Sequence, residues 1–592
     1  MTSLNDRKTP GVYVTEIAAV PPSAVGVETA IPAFVGYTGK AEIQGRSVEG
    51  QPIRITSLKE YDDVFGGPPH TIFTFEAATQ DDFDVKYSEI GGSDANADTT
   101  SGKILYKKVK PSVQVGLLRN SLRLFYANGG GTCFVVSVGP YGTSVDSDQL
   151  VKGVKALENQ VGPTMLVAPD LSLLAIPDPA TPWVVPGFRD VVVAMLNQCR
   201  ATQDRVALLD VVHARDIDRK SPLGALDKAI EQFRTDVDHD NRDYGIAYFP
   251  YLETSMVRAT DVDFASFEQA GITDFILSEA QKLFPRPQDP AVQAAIKAIK
   301  GDLMENKDTR RAAVTEALKN TDDAAAQTLN FLYNSFFPTV APATAPVAPA
   351  APPVDSAPSS APASPPAAPP PVDNRTRDNN LSNLFPALAQ MYRIAAKKLN
   401  RLPASAAMAG VMTFTDSTRG VWNAPANIAL VSVDGPSLSI NDDVQGDLNT
   451  PLDGKAINII REFIGRGPVV WGARTLDGNS NDYCYVQVRR TLIYIEQSVK
   501  AALKPFVLAA NDGKTWVTVI ATVSNFLQDL WAKGGLMGAT PTEAFSVDCG
   551  LETTMTGRDV LEGCMIVQIL VQLIHPGEFI ELTFKQKMGN AG

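Results

Sequence analysis

Two acidic features carry the residue types that catalysis or metal binding would need. Asp210 ends the apolar, strand-like segment Arg205-Val206-Ala207-Leu208-Leu209-Asp210, and α/β enzymes often place catalytic acids at the carboxyl ends of strands. No partnered base and no glycine-rich phosphate loop lies near it in the sequence. An enzyme built on this region therefore stays an alternative without a complete set of catalytic groups.

The second feature, residues 236–243, resembles a calcium loop in its spacing of carboxylates. A calcium-binding EF-hand loop requires glycine at its sixth position and glutamate at its twelfth. This segment lacks that glycine and has Ala247 at the twelfth position. The pattern favours a solvated acidic turn. An enzyme that uses this turn in its site is the second version of the enzyme alternative.

The remaining chemistry-bearing residues are scattered. The four histidines and five cysteines share no metal-ligand spacing and no Cys-x-x-Cys pair; they are His70, His213, His239, His575, Cys133, Cys199, Cys484, Cys549 and Cys564. Gly513-Lys514-Thr515 is a fragment of a phosphate-binding loop without its upstream glycine, which favours an ordinary helix N-terminus. We therefore predict no catalytic residues, no cofactor and no metal.

The composition limits the kinds of partner. A chain of 592 residues with 44% hydrophobic and 20% charged residues is globular and too long for one core, which predicts about two to four domains. The net charge of −13 argues against a nucleic-acid partner, because phosphate contacts need an excess of Lys and Arg. No secretory signal opens the sequence, and the apolar residues 565–574 are too few to span a membrane, so we expect no membrane insertion and a cytoplasmic location.

The elements that would position these residues alternate between strand and helix patterns from about residue 164 to residue 250. This alternation predicts an α/β domain with parallel pairing. Later segments predict a smaller sheet flanked by helices, so the fold class is a multidomain mixture of α/β and α+β. We place the outer α/β domain at 31–260, a helical insertion at 261–400 with a Pro/Ala-rich extended linker at 338–371, and an inner domain at 401–575.

Solitary strand patterns occupy both ends of the chain, which we call the N-terminal arm (residues 1–30) and the C-terminal arm (residues 576–592). The strand-forming positions are Val12, Tyr13, Val14 and Ile17 in the first arm and Phe579, Ile580, Leu582 and Phe584 in the second. Neither strand has a neighbouring run with which it could form a hairpin. The pattern alone leaves open whether each pairs within its own subunit or with another.

Three motifs follow one another in the last third of the chain. They are Asp416-Ser417-Thr418-Arg419-Gly420-Val421-Trp422-Asn423-Ala424-Pro425-Ala426-Asn427, then Leu448-Asn449, then Gly465-Arg466-Gly467-Pro468-Val469-Val470-Trp471-Gly472-Ala473-Arg474-Thr475. The first and last predict tight turns, each followed by a short strand. Their order and spacing resemble the sheath proteins of contractile phage tails and phage-tail-like injection systems, loosely over residues 10–255 and closely over 405–588.

The resemblance implies a non-enzymatic structural subunit that forms a helical polymer around an inner tube and contracts to drive tube and spike through a target membrane. It implies baseplate and tail-terminator partners and arms that pair with neighbouring subunits. It also implies structural roles for the motif residues Asp416, Arg419, Gly420, Trp422, Pro425, Asn427, Gly465, Arg466, Gly467, Trp471, Gly472 and Arg474.

In that family, charged residues of a C-terminal helix contact the tube. Arg489, Arg490 and Lys500 are the candidates here, although a solvated charged face is at least as good an interpretation. A non-contractile structural polymer is the remaining alternative to a contractile sheath.

Overall fold

The computed structural model describes residues 25–88, 104–111, 116–178, 180–217, 221–282, 374–579 and 581. The strands are β1 (Pro32–Thr38), β2 (Glu42–Ile43), β3 (Arg46–Ser47), β4 (Ile53–Ile55), β5 (Phe73–Ala77), β6 (Val85–Ser88), β7 (Ile104–Pro111), β8 (Cys133–Pro140), β9 (Met165–Val167), β10 (Val206–Asp210), β11 (Gly245–Phe249), β12 (Leu252–Thr254), β13 (Arg401–Leu402), β14 (Val433–Pro436), β15 (Ile457–Phe463), β16 (Gly467–Val470), β17 (Phe545–Asp548) and β18 (Gln568–Val571).

The helices are α1 (Leu58–Phe65), α2 (Leu118–Ala127), α3 (Ser147–Lys155), α4 (Phe188–Thr202), α5 (Ala225–Asp236), α6 (Gln269–Gln281), α7 (Asn374–Leu384), α8 (Pro386–Leu399), α9 (Ser405–Arg419), α10 (Asp442–Asn449), α11 (Val486–Leu503), α12 (Gly513–Ala532), α13 (Pro541–Ala544) and α14 (Gly557–Leu561). None of the helices in the described ranges is both long and apolar enough to cross a membrane.

An eight-stranded sheet forms the centre of the molecule, in the order β16-β15-β11-β10-β9-β1-β8-β4. The five inner pairings from β15 to β8 are parallel, and the two edge strands β16 and β4 are antiparallel to their neighbours. Strands β1 and β10 are buried along their whole length, as expected for a parallel sheet covered on both faces. The mixed α/β fold and its parallel pairing are therefore confirmed.

Helix α9 links the last third of the chain to this sheet. It packs against α2 and β10, and at Gly410 the two helices come so close that an added Cβ would lie 2.5 Å from the carbonyl oxygen of Phe125. Strands β15 and β16 extend the same sheet. A domain boundary at residue 401 is therefore wrong, because residues 401–493 share one hydrophobic core with the outer α/β region.

A second hydrophobic core joins segments that are far apart in the sequence. The sheet β5-β7-β6 packs with α6 and α8 around Phe73, Phe275 and Tyr392. Strands β6 and β7 of this sheet lie at the two ends of a polar stretch of the sequence. Residues 283–373, which include the predicted linker at 338–371, lie outside the described residues.

The third core is the C-terminal unit, which consists of the end of α11, helices α12 and α13, and the hairpin β17-β18. This hairpin and its helices form a smaller sheet flanked by helices, as the sequence predicts. Of the arm positions, Phe579 is described and largely exposed, whereas Val12, Tyr13, Val14, Ile17, Ile580, Leu582 and Phe584 lie outside the described residues.

Candidate functional site

Two largely buried charge clusters bind described residues of the terminal arms, Thr29 in one and Glu578 in the other, and we call these clusters the N-terminal root and the C-terminal root. The N-terminal root centres on Arg490 of α11. Its Nη1 and Nη2 donate to the two carboxylate oxygens of Asp416 at 2.9 and 2.6 Å, and Nη2 also donates to the carbonyl oxygen of Thr29 at 3.1 Å. One arginine thereby joins α9, α11 and the end of the N-terminal arm.

This pair is deeply buried, with 4% of the Arg490 side chain and 3% of the Asp416 side chain exposed. Two parallel hydrogen bonds between guanidinium and carboxylate fix the relative orientation of both groups. An ion pair in this environment adds little net stability, but removing one partner leaves the other charge buried and uncompensated. The N-terminal root is therefore a rigid junction that depends on both residues.

The chain preceding β1 lies along α11 on the way to this root. The backbone N–H of Val27 donates to the Ser498 hydroxyl at 3.2 Å, and Gly26 lies so close to the Tyr494 ring that a Cβ there would collide with its hydroxyl. A mainly apolar cavity of about 290 Å³ opens beside these residues. The last residues of the N-terminal arm are thus directed along one face of α11.

The C-terminal root centres on the Glu578 carboxylate. Arg474 donates to it from Nε at 3.0 Å and from Nη2 at 2.6 Å, Asn449 from its amide at 2.6 Å, and Tyr485 from its hydroxyl at 2.9 Å. Burial opposes ionisation, but the hydrogen bonds from these three side chains outweigh it and lower the pKa of Glu578. Glu578 is therefore held as a carboxylate just where the C-terminal arm begins.

The position of Arg474 is fixed by Asn458 of β15. The Asn458 side chain accepts from the backbone N–H of Arg474 at 2.7 Å and donates to its carbonyl oxygen at 2.7 Å. Gly472 passes beside this amide, where an added Cβ would lie 2.9 Å from Asn458 Oδ1. The glycine of the third motif is thus needed for the close approach that aims Arg474 at Glu578.

The other motif residues shape the backbone between these roots. Gly420 ends α9 with φ of 93°, Gly465 and Gly467 make the turn between β15 and β16 with φ of 77° and 69°, and Asn427, with φ of 59°, accepts from Arg466 at 2.7 Å. Pro425 is buried, and Trp422 packs against the C-terminal unit.

The first motif begins on helix α9, where Asp416 and Arg419 lie, and its predicted tight turn follows at residues 420–423, where the backbone N–H of Asn423 donates to the carbonyl oxygen of Gly420 at 3.1 Å. The third motif also contains a tight turn, at residues 465–467.

The sequence motifs include Asp416 and Arg474 but do not indicate that these residues pair with Arg490 and Glu578. Sequence reasoning missed Thr29, Asn458, Tyr485 and Glu578 as members of the roots, and the only sequence signal was the turn His575-Pro576-Gly577 that precedes Glu578.

The predicted tube contacts need correction. Arg489 and Arg490 are only 3% and 4% exposed; Arg490 pairs with Asp416, and Arg489 lies 3.6 Å from the Asp243 carboxylate and over the Tyr244 ring at 3.8 Å. Side chains buried within their own chain cannot form a contact face. Lys500, on the same helix, is exposed, and its role stays a prediction.

The acidic residues considered for catalysis have structural partners. Asp210 accepts from the backbone N–H of Ser405 at 2.9 Å, at the start of α9, and burial raises its pKa to about 6. In the acidic turn, Asp236 lies 2.9 Å from His213 and Asp238 lies 3.1 Å from Lys455. No group of three or more potential metal-binding side chains occurs within the described ranges.

Comparison with known proteins gives consistent matches. Residues 479–587 match the model of the phage tail sheath C-terminal domain. A protein of Pseudomonas aeruginosa strain UCBPP-PA14 that is assigned as a prophage major tail sheath protein is 28% identical over 153 residues. This alignment covers 25% of the present chain and 38% of the relative's length.

Solved structures match over nearly the whole chain. The sheath of the extracellular contractile injection system PVC, in its contracted state, has a TM-score of 0.51 with 22% identity, covering 98% of both chains. The contracted helical sheath of the anti-feeding prophage gives a TM-score of 0.51 with 22% identity, covering 98% of this chain and 100% of that one. Residues 479–587 are thus similar to the phage tail sheath C-terminal domain, and the chain has the fold seen in these solved sheath structures.

Proposed function

We propose that this protein is the structural subunit of a contractile sheath, which polymerises around an inner tube and contracts to drive the tube and its spike through a target membrane. The observation that carries the proposal is the pair of roots, at Arg490 and at Glu578, which tie both terminal arms to one folded body. A subunit that transmits force through its termini needs firm attachment there. The sheath-like fold over the whole chain supports the same function.

In this proposal the arms connect neighbouring subunits. Their strand-forming residues add to sheets of adjacent copies, so that main-chain hydrogen bonds supply the link and alternate side chains set the register. During contraction the folded bodies rotate largely as rigid units, and the arms act as hinges between them. The buried roots keep the hinge motion outside the body, because neither ion pair can open without leaving a charge unpaired.

The work of contraction comes from better intersubunit contacts in the contracted lattice, so the protein acts without a cofactor and without catalysis. Its partners are further copies of itself, an inner tube, a baseplate and a tail terminator. Assembly takes place in the cytoplasm of the producing cell, into a phage-tail-like particle. The Asp210 carboxylate accepts a hydrogen bond from the backbone of Ser405 at the start of α9, and this structural role gives no support to the alternative that the protein is an enzyme.

Deletion of residues 1–18 tests the role of the N-terminal arm. The deletion leaves Thr29 and the whole N-terminal root in place, so we expect a folded monomer that does not assemble. Sedimentation velocity reports the assembly, and circular dichroism reports the fold. Polymers formed by the truncated chain at the concentration at which the full chain polymerises would overturn the proposal for this arm.

A further inference from the structure

The loop between α11 and α12 forms an exposed tip on the C-terminal unit. Val507 is 71% exposed and Leu508 is 101% exposed, and Leu508 adopts φ of 68°, a conformation that non-glycine residues rarely take. Asn511 holds the tip in place, since its side chain accepts from the Trp516 indole at 2.7 Å and donates to the carbonyl oxygen of Cys564 at 3.0 Å. The tip is therefore a protrusion that Asn511 holds at its base, and its two apolar side chains are largely exposed in the described part of the chain.

Three lysines lie on the segments that flank this tip in the sequence. Lys500, Lys504 and Lys514 are exposed, and within the described part of the chain none of them forms an ion pair. We call these lysines together with Val507 and Leu508 the basic tip. A fixed apolar knob with unpaired cations around it is suited to a surface that offers an apolar contact and carboxylates.

The same chain has a surface with exposed carboxylates and an exposed apolar side chain. Asp443 and Asp447 occupy the exposed side of α10 four residues apart, and Leu452 just beyond the helix is 103% exposed. Two carboxylates at this spacing repel each other. Within the described residues, neither side chain has a cationic partner in hydrogen-bond or ion-pair distance, because nearby Arg234 donates to the carbonyl oxygens of Asp447 and Lys455. We call Asp443, Asp447 and Leu452 the acidic patch.

We infer that the basic tip of one copy docks on the acidic patch of a neighbouring copy. No ion pair joins the two surfaces within the described parts of one chain, and their opposite charges and exposed apolar side chains make the two surfaces complementary to each other. Because the surfaces differ, the contact is head-to-tail, and such contacts propagate into rings or helical filaments. A lipid surface suits the tip less well, since the chain carries a net charge of −13 and anionic lipids would repel it.

The inference deepens the proposed function and rests on it, because it adds a second contact between copies besides the arms. It also places the neighbour's tip close to the C-terminal root, since Asn449 at the end of α10 is one of the donors to Glu578. Binding at the acidic patch and anchoring of the C-terminal arm thus involve the same helix.

Charge reversal in the full-length chain tests the contact. Lys504→Glu with Lys514→Glu, or Asp443→Lys with Asp447→Lys, should raise the protein concentration for half-assembly about tenfold, because two exposed ion pairs become repulsive. The four changes together should restore assembly, whereas Lys59→Glu on exposed α1 should have no effect. If the combined variant assembles no better than either pair, the contact as proposed is wrong.

A crosslinking experiment gives an answer even if the chain forms no polymer, and so separates this inference from the proposed function. In a Cys564→Ser background, which removes the exposed thiol, the Leu508→Cys chain is mixed with the Leu452→Cys chain and oxidised with diamide. Covalent dimers should form in this mixture at least several times faster than in a mixture of Lys59→Cys and Leu452→Cys chains. Equal rates in both mixtures would overturn the inference.

Discussion

At the scale of single residues, the two roots show how a buried charge can fix a chain end. Both rely on an arginine whose carboxylate partner is distant in the sequence, 74 residues away for Arg490 with Asp416 and 104 residues away for Arg474 with Glu578. The sequence motifs identify Asp416 and Arg474 as notable residues. A single sequence contains no signal for pairing at such separations, which is why Arg490 was mistaken for a surface contact.

Asp416→Ala should destabilise the folded body by about 3–5 kcal/mol, because Arg490 is left buried without a counter-ion. Asp529→Ala removes an exposed partner of Lys533 and should change the stability far less. Urea denaturation of both variants gives the comparison. The double variant Asp416→Leu with Arg490→Met should regain much of the loss, and equal destabilisation by the two single aspartate changes would contradict the role of the N-terminal root.

The C-terminal root predicts a dependence on pH. The folded-state pKa of Glu578 lies below the ordinary value of 4.5, so its ionised form contributes stability that is complete above that value and is lost as the pH falls through the lower folded-state pKa. Glu578→Gln should therefore cost about 1–3 kcal/mol at pH 7 and progressively less below pH 4.5. Denaturation of both proteins across this range measures the difference, and a constant difference at all pH values would contradict the ionised cluster.

At the scale of elements, the sequence predicts the positions of strands better than it predicts which strands pair with each other. Continuous apolar runs such as β10 and the alternation of strand and helix patterns correctly indicate a parallel sheet. The sequence did not reveal that β15 joins this sheet and adds β16 to its edge, because β11, with which β15 pairs, lies about 200 residues earlier in the chain. Nor did it show that α9 packs on α2, since that contact depends on one glycine.

Gly410 provides a test of the α9–α2 contact. Gly410→Ala should destabilise the protein by about 1–3 kcal/mol, because the new methyl group would collide with the Phe125 carbonyl oxygen. Gly446→Ala, in the middle of α10 with no atom near its Cβ position, should instead be neutral or stabilise by about 0.5–1 kcal/mol. Thermal or urea unfolding distinguishes the two, and a stabilising Gly410→Ala would show that the helices are not in close contact there.

At the scale of the whole molecule, the described residues are organised around three hydrophobic cores. The central sheet with the two roots forms the body, the unit around β5-β7-β6 adds a second core, and the C-terminal unit presents the basic tip.

Negative-stain electron microscopy of the protein, alone and with its tube protein, tests the central proposal most directly. A contractile sheath predicts hollow helical cylinders, short and wide without the tube and long and narrow around it. Cylinders of the same width and subunit spacing under both conditions would indicate a non-contractile polymer. Monomers or small oligomers under both conditions would contradict the sheath function itself.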